Sequence, residues 1–232
     1  MKLYCALLFV LVCTACARNT TIGEQYIGAK YVRDPLGEEV APDTDPLIRF
    51  DAFDCTTFVE TALANGDKEK LNHIRYKNGV IGFVNRNHFI ETDWVPNNAN
   101  LVENVSDKYG KTTTRTVTIN RSAWMKKVHN ISDTTPTKTV KLKYIPYASL
   151  GEIKNDEPLI VLFVLSANPY FINKTGTELA VHHMGFLLPG GKILRHASSG
   201  LGAVVEVNFN EYVAKRQKTA NNLGIMLLEI KK

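Results

Sequence analysis

The sequence predicts an α+β fold in which a helix that starts at a cysteine packs against a mainly antiparallel sheet. Apolar residues recur at helical spacing from Phe58 to Leu63, and Asn65 with Gly66 ends the pattern, so a helix is expected over residues 55–65. The carboxyl-terminal half carries four apolar runs separated by turn residues, which are typical of strands: 159–165, 179–188, 192–198 and 223–230. The first run is unbroken, which favours a buried central strand.

The length of 232 residues and the hydrophobic content of 44% are enough to bury one core, so we expect a single domain over residues 18–232. Within it, the polar segment 97–143 is expected to be a peripheral elaboration, with two strand-like runs around a short helix. Basic residues exceed acidic ones by 28 to 23, but they are scattered and form no basic face. We therefore expect no nucleic-acid partner, and we expect a monomer.

Residues 1–17 have the layout of a secretory signal peptide, with Lys2 before an apolar stretch and small residues leading to Ala17. This predicts export to the bacterial periplasm or cell envelope. A competing interpretation is a lipoprotein site at which Cys16 is acylated, although Cys13 at an apolar position of that motif weighs against it. The stretch is shorter than the roughly 18 apolar residues that span a bilayer, so no transmembrane segment is expected.

Only one cysteine remains after the predicted leader, because the other three are Cys5, Cys13 and Cys16. An exported domain with the single thiol of Cys55 cannot form an internal disulfide. That thiol is either a small buried apolar group or a functional one.

The neighbours of Cys55 favour a function for it. Asp54 or Thr57 can cap the helix, and Thr57 with Glu60 has capping-box spacing, which places Cys55 in the first turn. Unpaired backbone N–H groups and the helix dipole there favour a thiolate and can hold an oxyanion, so we expect a lowered thiol pKa. The alternative is an ordinary, well-capped helix start.

Two histidines flank the turn at Pro189 and Gly190. If Leu187 faces Lys192 across that turn, His183 lies directly opposite His196 on one face of the hairpin, where one imidazole can orient the other. A thiol, a base and an orienting group are what nucleophilic catalysis requires, so the predicted catalytic residues are Cys55, His183 and His196.

Two other interpretations of these side chains carry less weight. Strand alternation directs His182 to the opposite face from its neighbour, so we assign it no role. Cysteine and histidine also bind zinc, but three ligands from separated elements without a compact motif are a weak metal signal. We expect no metal and no cofactor.

The motifs around these residues resemble the NlpC/P60 cell-wall hydrolases. The sequence DCTTFV at 54–59 resembles their nucleophile motif, and HMGF at 183–186 and HAS at 196–198 resemble their histidine strands. More narrowly, FDCTTFVE at 53–60, RNHF at 86–89, DW at 93–94 and HASS at 196–199 look like the DUF1460 branch of the NlpC/P60 hydrolases, which is N-acetylmuramoyl-L-alanine amidase-like. The likeness runs from about residue 27 to residue 230.

The resemblance implies a papain-like α+β fold and an amidase that cuts between N-acetylmuramic acid and L-alanine in peptidoglycan or muropeptide fragments. Three alternatives stay open: a γ-D-glutamyl endopeptidase like the sister branches, a thiol acyltransferase, and a non-catalytic peptidoglycan-binding module. The chain departs from the family at residues 155–157, where Asn-Asp-Glu replaces Gly-Asp, and in the polar segment 97–143. Neither departure touches the predicted catalytic residues.

A compact polar and aromatic group could hold the sugar or the peptide, and its members are Arg86, His88, Asp93 and Trp94. The competing interpretation is a salt-bridged loop with Trp94 packed beneath it. Tyr31 and Ser198 join the predicted substrate-binding residues by the resemblance alone.

Overall fold

The computed structural model describes residues 21–231. The predicted leader at residues 1–17, with the candidate acylation site Cys16, lies outside the described residues. None of the helices within 21–231 is long and apolar enough to cross a membrane.

The described residues form one mixed α/β unit around a mainly antiparallel sheet. Ten strands build the sheet: β1 Lys30–Tyr31, β2 Ala52–Phe53, β3 Val102–Asn104, β4 Thr113–Ile119, β5 Lys138–Pro146, β6 Leu159–Leu165, β7 Val181–Leu187, β8 Ile193–Ser198, β9 Ala203–Asn208 and β10 Asn222–Ile230. Their order is β2-β1-β9-β8-β7-β6-β10-β5-β4, and β3 also pairs with β10. Among these ten described strands, only β1 and β2 run parallel to each other. The four apolar runs of the carboxyl-terminal half are β6, β7, β8 and β10, as the sequence predicts.

Within residues 21–231, six α-helices accompany the sheet: α1 Cys55–Ala64, α2 Lys68–Arg75, α3 Val95–Asn97, α4 Arg121–His129, α5 Pro169–Thr175 and α6 Phe209–Gln217. The helix predicted over 55–65 is confirmed as α1, which ends where Asn65 takes a left-handed conformation (φ 52°). Asparagine tolerates that conformation better than most residues, so it stops the helix.

The central strand β6 is buried on both of its faces. Ile160 and Leu162 belong to the core that covers α1, whereas Val161 and Phe163 belong to the core that covers α6. All four are fully buried. A strand with two dry faces needs apolar residues at every position, which explains the unbroken run in the sequence.

Residues 97–143 continue the sheet, so they are less peripheral than the sequence predicts. Strand β4 pairs along its length with β5, and β5 pairs with β10. Val117 and Ile119 of β4 are buried in the core on the α1 side. The polar composition reflects the exposed face of these strands, because β4 buries only alternate residues at its end.

The β7–β8 hairpin has a different register from the predicted one. Phe186 pairs with Arg195 and Leu187 with Leu194, and the turn lies at 189–192, one residue later than expected. Continuing this register places His196 opposite Gly185, so the predicted direct pairing of the two histidines is wrong. A Cβ at Gly185 would lie 2.8 Å from the Cβ of His196, so only glycine leaves room there.

A β-bulge interrupts the pairing of β6 with β7. Phe163 pairs with His183 and Val164 pairs with Val181, which leaves His182 as the extra residue. A bulge breaks the alternation of side chains and re-aims the ones beside it.

Candidate active site

Cys55 is the first residue of α1, and Asp54 caps the helix. Oδ1 of Asp54 accepts from the backbone N–H of Thr57 at 2.8 Å, and Oγ1 of Thr57 accepts from the N–H of Asp54 at 2.9 Å. The capping box therefore pairs Asp54 with Thr57. Glu60 takes no part in it, because its carboxylate accepts from Nε1 of Trp94 at 3.0 Å. The cap fixes the thiol at the start of the helix.

His183 and His196 are diagonal neighbours on the hairpin and form a direct hydrogen bond. Nε2 of His183 lies 2.7 Å from Nδ1 of His196. Diagonal side chains on one face stay within reach when they are long or aromatic. This bond occupies Nε2 of His183, so Nδ1 is the nitrogen left for a thiol. With Nδ1 as the proton acceptor, Nε2–H of His183 donates to Nδ1 of His196.

A buried carboxylate holds the strand that carries His183. Oε1 of Glu91 accepts from the backbone N–H of Ala180 at 2.7 Å and of Val181 at 3.2 Å. These N–H groups lie just before the bulge at His182, where the ladder between β6 and β7 is interrupted. Glu91 thus satisfies donors that the sheet leaves unpaired.

The thiol and both histidines of β7 line a cleft with two halves. Cys55, His182 and His183 line both halves. The half that we call the His88 side adds Asn87, His88, Ile90, Leu179 and Val181. The half that we call the Arg216 side adds Tyr31, His196, Ser198, Tyr212 and Arg216. The structure therefore brings the three predicted catalytic residues together, with His88 at one end and Tyr31 and Ser198 at the other.

The thiol and the histidines are neutral in the resting protein. Burial and the charge of Asp54 raise the pKa of Cys55 to about 12. The lowered pKa predicted from the helix start is wrong, because the dipole argument ignores both effects. Burial, with the neighbouring imidazole of His196 as the second cause, places the pKa of His183 well below its ordinary value. A neutral thiol therefore shares the cleft with a neutral imidazole.

Replacing Asp54 with asparagine is expected to lower the pKa of Cys55 by about one pH unit, because the variant keeps a capping oxygen but removes the adjacent negative charge. The rate of iodoacetamide alkylation against pH, followed by intact mass, measures the shift. Asp67→Asn changes the cap of α2 in the same way and should leave the profile unchanged. Identical profiles for Asp54→Asn and the wild type would show that Asp54 does not set the thiol pKa.

His88 lines the cleft, but the other three members of the predicted substrate cluster, Arg86, Asp93 and Trp94, belong to a salt-bridged wall. Arg86 pairs with Glu38 and Asp43, each at 2.7 Å, and Asp93 pairs with Arg121 at 2.9 Å. Trp94 is fully buried. This is the packed arrangement that competed with substrate binding in the sequence. Their contact with substrate stays a prediction.

Sequence reasoning missed three titratable residues of the cleft. His182 was assigned to the opposite face, but the bulge brings it into both halves. Tyr212 and Arg216 come from α6 and lie one helical turn apart, so they share a face of the helix. The sequence does not indicate whether that face is turned toward the cleft. Their contact with the cleft depends on how α6 packs on the sheet.

Within residues 21–231, no three side chains of His, Cys, Asp or Glu form a group that could hold a metal ion.

A family model described as N-acetylmuramoyl-L-alanine amidase-like matches residues 21–222, which include the whole cleft. The chain belongs to this family. A comparison with curated proteins found no match.

Solved structures share the fold over most of the chain. A Legionella pneumophila protein of the DUF1460 family superposes with a TM-score of 0.82 at 25% identity, over 91% of this chain and 87% of that one. An N-acetylmuramoyl-L-alanine amidase from Bacteroides uniformis superposes with a TM-score of 0.69 at 24% identity, over 90% of this chain and 96% of that one. The first match bears out the predicted likeness to DUF1460, and both bear out the mixed fold with a mainly antiparallel sheet.

Proposed function

We propose that the protein is a cysteine amidase that hydrolyses the bond between N-acetylmuramic acid and L-alanine in peptidoglycan or muropeptides. The observation that carries the proposal is the shared cleft of Cys55 and His183, with His183 bonded to His196 at 2.7 Å. Membership of the amidase-like family supports the choice of bond. The order of thiol, base and second histidine along the chain supports a papain-like enzyme of the NlpC/P60 type.

In the first step, the thiol of Cys55 attacks the lactyl carbonyl while Nδ1 of His183 takes its proton. The N–H of Thr57 is bonded to Asp54, so the N–H groups of Cys55 and Thr56 are the ones left in the first turn to hold the oxyanion. Nε2–H of His183 keeps its bond to His196 as the ring becomes charged, which stabilises the imidazolium.

In the second step, the imidazolium of His183 gives its proton to the nitrogen of L-alanine, and the carbon–nitrogen bond breaks. The low pKa of His183 makes the charged ring a strong acid, which favours this transfer. The sugar remains as a thioester on Cys55. Neutral His183 then activates a water molecule that releases the lactyl carboxylic acid and restores the thiol.

The proposal places the enzyme outside the cytoplasm, where the substrate lies. The signal-peptide layout of residues 1–17 supports export, and acylation at Cys16 would attach the protein to a membrane surface. The catalytic unit is proposed to act as a monomer, because one chain supplies the thiol and both histidines.

Digestion of a defined muropeptide tests the bond. Incubation with MurNAc-L-Ala-D-Glu-diaminopimelate should yield free N-acetylmuramic acid and an intact tripeptide with an amino-terminal alanine, identified by mass spectrometry. Release of diaminopimelate would instead indicate a γ-D-glutamyl endopeptidase. A sugar amide formed with an added amine would indicate an acyltransferase, and undigested substrate would indicate a binding module.

A further inference from the structure

The Arg216 side contains several buried polar atoms that lack a hydrogen-bond partner among the described residues: Nε of Arg216, Nε2 of His182 and Nε2 of His196. All three residues line the same half of the cleft as Cys55. Buried polar groups are normally paired, and an unpaired group in a cleft indicates a partner that arrives with a ligand.

Arg216 also has no carboxylate partner within residues 21–231. Its guanidinium carbon lies 5.9 Å from the centre of the Tyr212 ring, on the preceding turn of α6. This cation–π contact holds the charge in place without neutralising it. The charge is felt across the cleft, because it adds to burial in lowering the pKa of His182 and of His196, each to about 4.

The His88 side has a different character. Its own lining residues include no lysine, arginine, aspartate or glutamate. Burial keeps His88 neutral by placing its pKa well below the ordinary value. The lining of the Arg216 side therefore contains a cation, whereas the lining of the His88 side contains no charged side chain and is partly apolar.

We propose that Arg216 binds a carboxylate of the second residue of the peptide stem, so that the peptide occupies the Arg216 side and the sugar occupies the His88 side. This inference rests on the proposed amidase function. The two halves of the substrate differ in the same way as the two halves of the cleft, because the sugar half of the scissile amide is uncharged and the peptide half carries carboxylates. A guanidinium can bind a carboxylate with two parallel hydrogen bonds, which also fixes orientation.

A pair of substrates tests the proposal. One is MurNAc-L-Ala-D-Glu, and the other is its neutral form with both glutamate carboxylates amidated. The wild type should cleave the acidic form with a kcat/KM at least about tenfold higher, as expected for one charge-assisted interaction. Arg216→Gln should reduce this preference to less than about threefold, because the ratio cancels every effect that both substrates share and keeps the loss of the ion pair, which only the acidic form makes.

The control is Lys215→Gln, which removes an exposed cation beside Arg216 on α6 and should keep the preference. The ratio of the two rates does not depend on how much of Arg216→Gln is folded, because a loss of folded protein lowers both rates equally.

An unchanged preference in Arg216→Gln therefore overturns the proposal and leaves the amidase function standing. An equal reduction of the preference in Lys215→Gln has the same consequence. Failure of the wild type to cleave either form overturns the amidase function, and this inference with it.

Discussion

Replacing Cys55 with alanine is expected to lower amidase activity by at least about 10⁴-fold without unfolding the protein. A catalytic nucleophile that acts as a unit with its base contributes this much or more when it is removed alone. The cap of α1 survives, because it is made by Asp54 and Thr57 and does not use the thiol. Cys55 is half-buried and lines the cleft, so the loss of its sulfur opens no closed cavity in the core.

Initial rates of L-Ala-headed peptide release, measured by chromatography, give the activity, and a circular dichroism melt gives the stability. Thr56→Ala is the matched control in the same turn, since Oγ1 of Thr56 lies 4.0 Å from the sulfur. We expect it to lose less than about tenfold, because it supplies neither nucleophile nor base. Full activity in Cys55→Ala would eliminate the cysteine mechanism.

Replacing Arg86 with methionine is expected to lower the free energy of unfolding by about 3–5 kcal/mol. Its guanidinium bonds both oxygens of Glu38, at 2.9 and 2.7 Å, and one oxygen of Asp43 at 2.7 Å. Glu38 is 4% exposed, so the variant leaves a buried carboxylate without its charge partner. The cost is that unpaired charge, since the volume of the side chain is largely kept.

Urea unfolding at neutral pH measures this effect. Arg49→Met is the matched control, because Arg49 also pairs with a carboxylate, that of Asp51, but Asp51 is 72% exposed. Exposed ion pairs are worth about 0–1 kcal/mol, so the control should change little. Equal losses of unfolding free energy in the two variants would show that the burial of Glu38 does not make the Arg86 ion pairs more important than an exposed pair.

The elements of the fold were predictable where a local pattern decides them. The spacing of apolar residues after Cys55 and the unbroken apolar run of β6 both depend directly on which side chains are buried. The helix and the strand therefore agree with the sequence prediction. The hairpin register was wrong because the turn begins one residue later than expected, at Pro189. That error changes which residues are opposite but preserves the face, because side chains alternate with a period of two. His183 and His196 therefore still meet.

Other features of the site depend on contacts between distant segments. The raised pKa of Cys55 follows from its burial in the folded cleft, which a helix start alone does not reveal. His182 lines the cleft because a β-bulge leaves it as the extra residue of β7, and the neighbouring residues in the sequence do not predict the bulge. The sequence near Arg86 predicts a substrate-binding residue. In the fold its guanidinium pairs with Glu38 and Asp43, which lie more than 40 residues away in the chain, and the local sequence does not indicate these partners.

The glycine at position 185 has a consequence for how the histidine pair is encoded. Because a Cβ at position 185 would lie 2.8 Å from the Cβ of His196, the missing side chain leaves the space that His196 needs on the neighbouring strand. The pattern His-x-Gly on β7 thus specifies two things in three residues: one histidine, and the room for the second histidine that bonds to it. Any larger residue at position 185 would force β8 to move at Arg195 and His196.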